Sequence, residues 1–295
     1  MKAKIAEIEC VVDCQNTLGE GPVWSSEEQK LYWVDIQKSE VWCYDPETGD
    51  TKVWNAPERV VCLAPREGGG FLVAFESGLA FYDLETGKVT KIRNIEADLP
   101  STRMNDGRCD RQGRFVIGGM DESEKADKIS NVYRLDKDLS IRKIISGVAC
   151  ANSICFSPDG RVMYFADTPV GEICAYDYDP DAGNLSNKRI FADFADQPGT
   201  PDGSIVDAEG GVWNAQWNGH RVVRYRPDGT MDRVFDFPVL NPTCVVFGGK
   251  DLDVLYVTTA RYLMTPEQIE DEPLSGGVFA MKIGVKGLDE PKFCG

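Results

Sequence analysis

Residues 21–54, GPVWSSEEQKLYWVDIQKSEVWCYDPETGDTKVW, contain apolar strands separated by polar turns. An apolar strand leads through a turn into a second strand, and a third strand follows after a short connection. Alternating strands that end at Asp-Gly or Thr-Gly turns are typical of antiparallel hairpins. Five later segments repeat this order, and the second strands of the six copies begin near Leu31, Phe71, Phe115, Met163, Val212 and Leu255. A period of roughly 40 to 50 residues is that of one propeller blade.

The repeat predicts an all-β fold, a six-bladed β-propeller with four-stranded antiparallel blades around a central channel. A β-solenoid is the alternative, but it would normally have a shorter period and parallel strands. We expect residues 1–295 to form a single domain in which the N-terminal strand, residues 5–12, completes the sixth blade. Closing the ring in this way protects strand edges. Residues 265–273, TPEQIEDEP, are the best candidate for a helix.

Charge and hydropathy narrow the possible partners. The formal net charge of −16 argues against nucleic acid as a partner, because that binding requires a basic surface. The N-terminal residues 1–14 contain no continuous apolar run, so we expect no signal peptide. No run of about 18 apolar residues occurs either, which predicts no membrane span. These features favour a cytoplasmic protein, and a closed propeller is expected to be a monomer or a weak homo-oligomer.

The ten cysteines are scattered along the chain without a C-x-x-C pair. Most lie in apolar strand patterns. Buried, reduced thiols are therefore the favoured interpretation over disulfides or a thiolate metal site.

The repeat register also predicts which residues face the channel. Ten to twelve residues before each second strand, the six copies have Glu20, residues 60–62, Asn105, Asn152, Asp202, and Thr243 or Cys244. Four of these six positions carry a carboxylate or an amide. Two carboxylates and two amides directed at one axis would remain unsatisfied unless a cation lay between them. Glu20 lies between Gly19 and Gly21, with Pro22 following.

Oxygen ligands suit one hard divalent cation, Ca²⁺, Mg²⁺ or Mn²⁺, while Zn²⁺ and Fe²⁺ also remain open. The alternative is that these polar residues only form turns. Asp159 and Asp228 are expected to do so, and the patterns NDG and PDG form turns readily. His220, the single histidine, is expected to be a surface or packing residue rather than a catalytic one.

Several motifs together resemble one family of enzymes. They are LGEGPVW (18–24), RMNDGRCD (103–110), GRFVIGGM (113–120), ANSICFSPDG (151–160), YFADT (164–168), PDGSIVDAEGGVWNAQW (201–217) and YVTTAR (256–261). Over nearly its whole length the chain resembles the gluconolactonase and regucalcin (senescence marker protein) family of sugar lactonases. The resemblance implies a cation held by Glu20, Asn152 and Asp202.

The same resemblance implies that Arg103 and Asn105 bind sugar, and that Asp121 or Glu122 contacts substrate. The implied reaction is metal-dependent hydrolysis of a small-molecule sugar lactone, such as glucono-, galactono-, arabinono- or xylonolactone, to the aldonic acid. Asp202 would act as the general base. The alternative is a calcium-binding or sugar-binding propeller, similar to regucalcin, without significant turnover. A phosphotriesterase or aryl esterase is a third possibility, but its usual histidines are missing.

Overall fold

The computed structural model of the chain, which describes residues 7–295, contains six four-stranded antiparallel sheets. Within each sheet, strands that are consecutive in sequence pair with each other; the one exception is the sheet shared by the two ends of the chain. The innermost strands of neighbouring sheets pack against each other all the way around, including the last against the first. This arrangement confirms the predicted six-bladed β-propeller.

The strands of the first three blades follow one another along the chain, after a separate first strand, β1 (Glu9–Val12). Blade 1 has β2 (Gly19–Ser25), β3 (Lys30–Asp35), β4 (Glu40–Tyr44) and β5 (Thr51–Asn55). Blade 2 has β6 (Val60–Pro65), β7 (Phe71–Phe75), β8 (Gly78–Asp83) and β9 (Lys88–Asn94). Blade 3 has β10 (Thr102–Cys109), β11 (Phe115–Asp121), β12 (Ser130–Leu135) and β13 (Ile141–Val148).

The other three blades include the two short helices of the described chain. Blade 4 has β14 (Ala151–Phe156), β15 (Val162–Asp167), β16 (Glu172–Tyr178) and β17 (Leu185–Asp193), with a 3₁₀ turn at Thr168–Val170. Blade 5 has β18 (Thr200–Val206), β19 (Val212–Trp217), β20 (Arg221–Tyr225) and β21 (Met231–Asp236). Blade 6 has β22 (Pro242–Gly248), β23 (Val254–Thr259) and β24 (Val278–Lys282), and helix α1 (Pro266–Asp271) lies between the last two.

The sequence pattern located these elements closely. Every observed second strand begins within one residue of its predicted start. Helix α1 lies inside the predicted segment, and Thr265 caps it by accepting a hydrogen bond from the backbone N–H of Gln268. Of the strand predicted over residues 5–12, residues 5 and 6 lie outside the described range. Strand β1 pairs antiparallel with β24 as the outermost strand of blade 6.

Burial falls from the channel outward because each blade packs its inner strands between two neighbouring blades. All six residues of β14 are buried, whereas six of the seven residues of β9 are exposed. The apolar core therefore lies between blades. Where the ring closes, Trp24 of blade 1 stacks on Tyr256 of blade 6, with ring centroids 5.7 Å apart.

The last residues of the chain pack against the innermost strands of blades 2 and 3. Phe293 forms a parallel bridge with Arg66 at the end of β6. Nearby, Nη1 of Arg108 lies 2.7 Å from Oε2 of Glu290, and both side chains are at most 10% exposed. Within residues 7–295, no helix is long and apolar enough to span a bilayer.

Candidate functional site

The innermost strand of every blade is interrupted by a β-bulge, a feature that the repeat pattern did not predict. The bulges lie between Glu20 and Val23, Val60 and Cys62, Met104 and Gly107, Asn152 and Cys155, Pro201 and Ser204, and Pro242 and Cys244. They occur at equivalent places in all six strands. Because a bulge twists its strand and re-aims the side chains beside it, the six bulges define one level around the channel axis.

Glu20, Asp106 and Asp202 place three carboxylates near one another at this level. Burial is the largest cause that raises the pKa of Glu20, to about 8, and the charge of Asp106 raises it further. Burial also raises the pKa of Asp202 well above its ordinary value, and the charges of Glu20 and Asp106 add to the effect. Burial likewise raises the pKa of Asp106. The ionised forms of these three carboxyl groups therefore repel one another.

These carboxylates have few partners of opposite charge. In the described part of the chain, no lysine, arginine or histidine nitrogen lies within 4.0 Å of any of the three. Glu20 accepts a hydrogen bond from the N–H of Gly21, and Asp106 accepts one from the N–H of Ile154, at 3.0 Å and 2.8 Å. The charge of Arg103 lowers the pKa of Glu20 and Asp202, but burial outweighs this effect. A bound cation would relieve the imbalance.

The donor chemistry at this level fits a hard cation. Among residues 7–295, no group of three or more His, Cys, Asp or Glu side chains is arranged so that it could hold a metal ion. A site here therefore has to include an amide or backbone oxygen. Asn152, which is buried at the bulge of β14, carries an amide at the same level of the channel as Glu20 and Asp202. Oxygen donors of this kind suit Ca²⁺, Mg²⁺ or Mn²⁺.

The two amides predicted from the register contact each other. Nδ2 of Asn105 lies 3.3 Å from Oδ1 of Asn152 and 2.9 Å from the carbonyl oxygen of Ala151. Nη1 of Arg103 donates to Oδ1 of Asn105 at 2.7 Å. Side chains from the RMNDGRCD motif of blade 3 and the ANSICFSPDG motif of blade 4 therefore contact each other at the site.

Arg103 is held from its other side by Glu122. Its Nε donates to Oε1 of Glu122 at 2.9 Å, and Arg59 forms a bidentate pair with the same carboxylate at 2.9 Å and 2.7 Å. Nε of Arg59 also donates to Glu76 at 2.6 Å. Burial would raise the pKa of Glu122, but Arg59 and Arg103 bring it below its ordinary value. Glu122 is therefore a carboxylate that orients Arg103.

Asp121 faces away from this network. Its carboxylate accepts hydrogen bonds from the hydroxyl and N–H of Ser123 and from the N–H of Asp127. The hydroxyl of Ser123 is the largest cause that lowers the pKa of Asp121, to about 2. Of the two acidic residues considered for substrate contact, the structure brings Glu122 to Arg103 and uses Asp121 to order a loop.

The sequence did not indicate Asp106 as a site residue, because its segment favours a turn. The pattern Asn105-Asp106-Gly107 favours a turn, but here Asp106 lies in the bulge of β10. Its position next to Asn105 was the available signal. His220 lies outside the site, where its Nε2 is 2.7 Å from Oε1 of Glu272. All ten cysteines are free, and six of them are buried.

A cavity of about 490 Å³ is lined by Tyr32, Trp54 and Phe71 between blades 1 and 2. It also includes Ser25, at the opposite end of β2 from Glu20, so it is separate from the channel site.

Fold and channel together define a six-bladed β-propeller with a polar site at the level of its bulges. Residues 18–261 match the family described as SMP-30/Gluconolactonase/LRE-like region. The chain belongs to this family, as its motifs had indicated.

Similar proteins cover nearly the full length. An L-arabinolactonase from Azospirillum brasilense is 43% identical over 97% of this chain and 95% of its own. A 6-deoxy-6-sulfogluconolactonase from Pseudomonas putida is 36% identical over 98% and 99%. A crystal structure described as a calcium-binding protein, regucalcin, from Agrobacterium tumefaciens has a TM-score of 0.92 and 32% identity, and the match covers 98% and 97%.

Proposed function

We propose that this protein is an enzyme that hydrolyses a sugar lactone to the corresponding aldonic acid. The lactonases among its full-length relatives support this reaction class. The observation that carries the proposal is the pairing of two carboxylates, the partly buried Glu20 and the buried Asp202, with Arg103 and Asn105 at one level of the channel. Carboxylates supply a base, while arginine and amide groups bind hydroxyls and carbonyls.

We further propose that Glu20, Asn152 and Asp202 hold one divalent cation. Their oxygen donors and the absence of a close cationic side chain, within residues 7–295, support this assignment. The regucalcin neighbour is described as calcium-binding, and Ca²⁺, Mg²⁺, Mn²⁺, Zn²⁺ and Fe²⁺ are the candidates. When bound, such a cation supplies Lewis-acid stabilisation of the negative charge that develops on the lactone carbonyl oxygen.

The residues of the chain would carry out the proton transfers. Asp202 accepts a proton from the attacking water, whose oxygen bonds to the lactone carbonyl carbon. The bond between that carbon and the ring oxygen then breaks, and Asp202 returns the proton to the ring oxygen. The product acid ionises and releases one proton to solvent.

Binding and orientation would fall to Arg103 and Asn105. Their donors are held in place by Glu122 and by the contact with Asn152. A substrate whose hydroxyls are fixed in this way reacts without a further loss of rotational freedom.

The base assignment is tested by Asp202→Asn, with Asp228→Asn, at an exposed turn, as the matched control. Proton release from a panel of pentono- and hexonolactones is followed in weak buffer, with the spontaneous rate subtracted, after chelation and reloading with individual metals. We expect Asp202→Asn to lose about 100-fold or more of kcat, because a general base typically contributes that much. Turnover by Asp202→Asn at the wild-type rate would reject the assignment.

A second candidate is a calcium-binding propeller without significant turnover. The structural match to regucalcin at a TM-score of 0.92 favours it. The same assay separates the two: a protein that binds the cation but releases no lactone-dependent acid is a binding protein.

We also propose that residues 1–295 form one domain and that the protein works in the cytoplasm as a monomer or weak homo-oligomer. Contacts between innermost strands around the whole ring support the single domain. Ten free thiols suit a reducing compartment.

A further inference from the structure

Thr168 lies next to the site, where it contacts two blades. It is the first residue of the 3₁₀ turn that follows β15, and its N–H donates to the carbonyl oxygen of Cys150 at 2.9 Å. Its side chain reaches Asn152 of its own blade and the backbone of Pro201 in blade 5. Pro201 directly precedes Asp202.

The hydrogen bonds of Thr168 leave one arrangement for the neighbouring amide. A threonine hydroxyl has a single proton, and here it is donated to the carbonyl oxygen of Pro201 at 2.9 Å. Towards Asn152, at 2.8 Å, the hydroxyl oxygen can therefore only accept. Asn152 must present its Nδ2 to Thr168, and its Oδ1 is turned to the opposite side.

A second contact imposes the same orientation. Asn105 uses its Oδ1 to accept from Arg103, so it presents Nδ2 to Asn152. If the amide of Asn152 were rotated by half a turn, two oxygens would meet at Thr168 and two NH₂ groups would meet at Asn105. Each hydrogen bond lost in this way costs about 1 kcal/mol.

We propose that Thr168 is a positioning residue that directs Oδ1 of Asn152 towards the cation. This inference rests on the cation site proposed above.

Loss of the hydroxyl should release the amide. The remaining acceptor near Nδ2 of Asn152 is Sγ of Cys150, at 3.7 Å, and a thiol is a weak acceptor. Groups that orient metal ligands typically change metal affinity by about 10- to 100-fold when they are removed. Thr168→Val should therefore raise the dissociation constant by that factor, whereas Thr168→Ser keeps the hydroxyl and should stay within about twofold of wild type.

The experiment is calorimetric titration of Ca²⁺, and separately Mn²⁺, into the chelated full-length protein. Wild type, Thr168→Ser and Thr168→Val are compared, and the Tm of each metal-free protein is measured alongside. Thr168→Ala replaces the valine variant if the latter does not fold. We expect weaker binding without a matching change in the metal-free Tm.

Asn152→Asp distinguishes the proposed role of Thr168 from a general contribution of Thr168 to the fold. A carboxylate has two equivalent oxygens, so it has no amide orientation to set. In the Asn152→Asp background, Thr168→Val should therefore change the dissociation constant by less than about twofold.

Each outcome decides a different statement. Wild-type protein that binds neither ion refutes a site for Ca²⁺ or Mn²⁺ and, with it, the assigned role of Thr168 in binding them. Wild-type affinity in Thr168→Val refutes the role of Thr168 and leaves the cation site standing. An equal loss of affinity in both backgrounds also refutes it, because Thr168 would then act through the fold rather than through the amide of Asn152.

Discussion

Replacing Glu20 by glutamine should stabilise the metal-free protein, and the gain should grow as the pH rises. Glu20 is a partly buried carboxylate near Asp106 and Asp202, without a cationic side chain within 4.0 Å among the described residues. Glutamine has nearly the same shape but does not ionise. The substitution therefore removes a charge that the folded chain, without its cation, holds in an unfavourable place.

The size of the effect follows from the pKa of Glu20. Burial, with the charge of Asp106, raises it from 4.5 to about 8. Since one pKa unit corresponds to about 1.36 kcal/mol, ionising Glu20 in the folded state costs up to about 5 kcal/mol. Below pH 4.5 the side chain is protonated in both states and no penalty arises. The penalty develops as the pH rises from 4.5 to about 8 and then levels off.

The assay is urea unfolding of chelated protein at several pH values between 5 and 8.5. The free-energy difference between Glu20→Gln and wild type should be small at pH 5 and reach several kcal/mol in favour of glutamine at pH 8. Glu122→Gln is the matched control of opposite sign. The pKa of Glu122 is lowered because Arg59 and Arg103 outweigh its burial, so its carboxylate stabilises the fold above its ordinary pKa. Glu122→Gln should therefore be less stable than wild type at both pH values.

Parallel unfolding curves for Glu20→Gln and wild type across this range would refute the reasoning. Such a result would mean that water or a rearrangement of the channel relieves the charge. Added Ca²⁺ or Mn²⁺ should reverse the order of stabilities, because ligand bound only by the folded state stabilises it and glutamine weakens that binding.

Two further predictions concern arginine–glutamate pairs, Arg108 with Glu290 and Arg59 with Glu122. Arg108→Met should lower the free energy of unfolding by about 3 to 5 kcal/mol, because it leaves the buried carboxylate of Glu290 unpaired. Arg108→Met combined with Glu290→Met should recover most of that loss in urea titrations, and an equally unstable double variant would contradict this explanation. Arg59→Met should raise the KM for lactone by about fivefold with a smaller change in kcat, because Glu122 then holds Arg103 less firmly. An unchanged KM in steady-state kinetics would exclude Arg59 from this role.

The fold was predictable because the sequence of each blade specifies its own strands and turns. Each blade repeats an alternation of apolar and polar residues that ends in a turn, so the starts of β3 and β7 could be read within one residue. The period of the repeat then specifies the number of blades. Short helix α1 was also visible, since Thr265 and Gln268 form a capping box.

The site was only partly predictable. The register predicts Glu20, Asn152 and Asp202 as cation ligands, and the structure places these three residues at equivalent bulges of their strands. Asp106 was missed because its sequence favours a turn, and the bulge that places it in the channel arises from strand pairing. Thr168 was part of a motif, but nothing in its own segment indicates that Pro201 of the next blade accepts its proton.

By itself, the sequence determined the blade pattern, the number of blades and the set of oxygen-bearing positions, because each depends on neighbouring residues and on their period. The tertiary structure alone decided which charges lack partners, which way the amide of Asn152 points, and how Arg108 meets Glu290. These features depend on contacts between residues far apart in the chain. They exist only once the ring has closed and water has been excluded from the space between its blades.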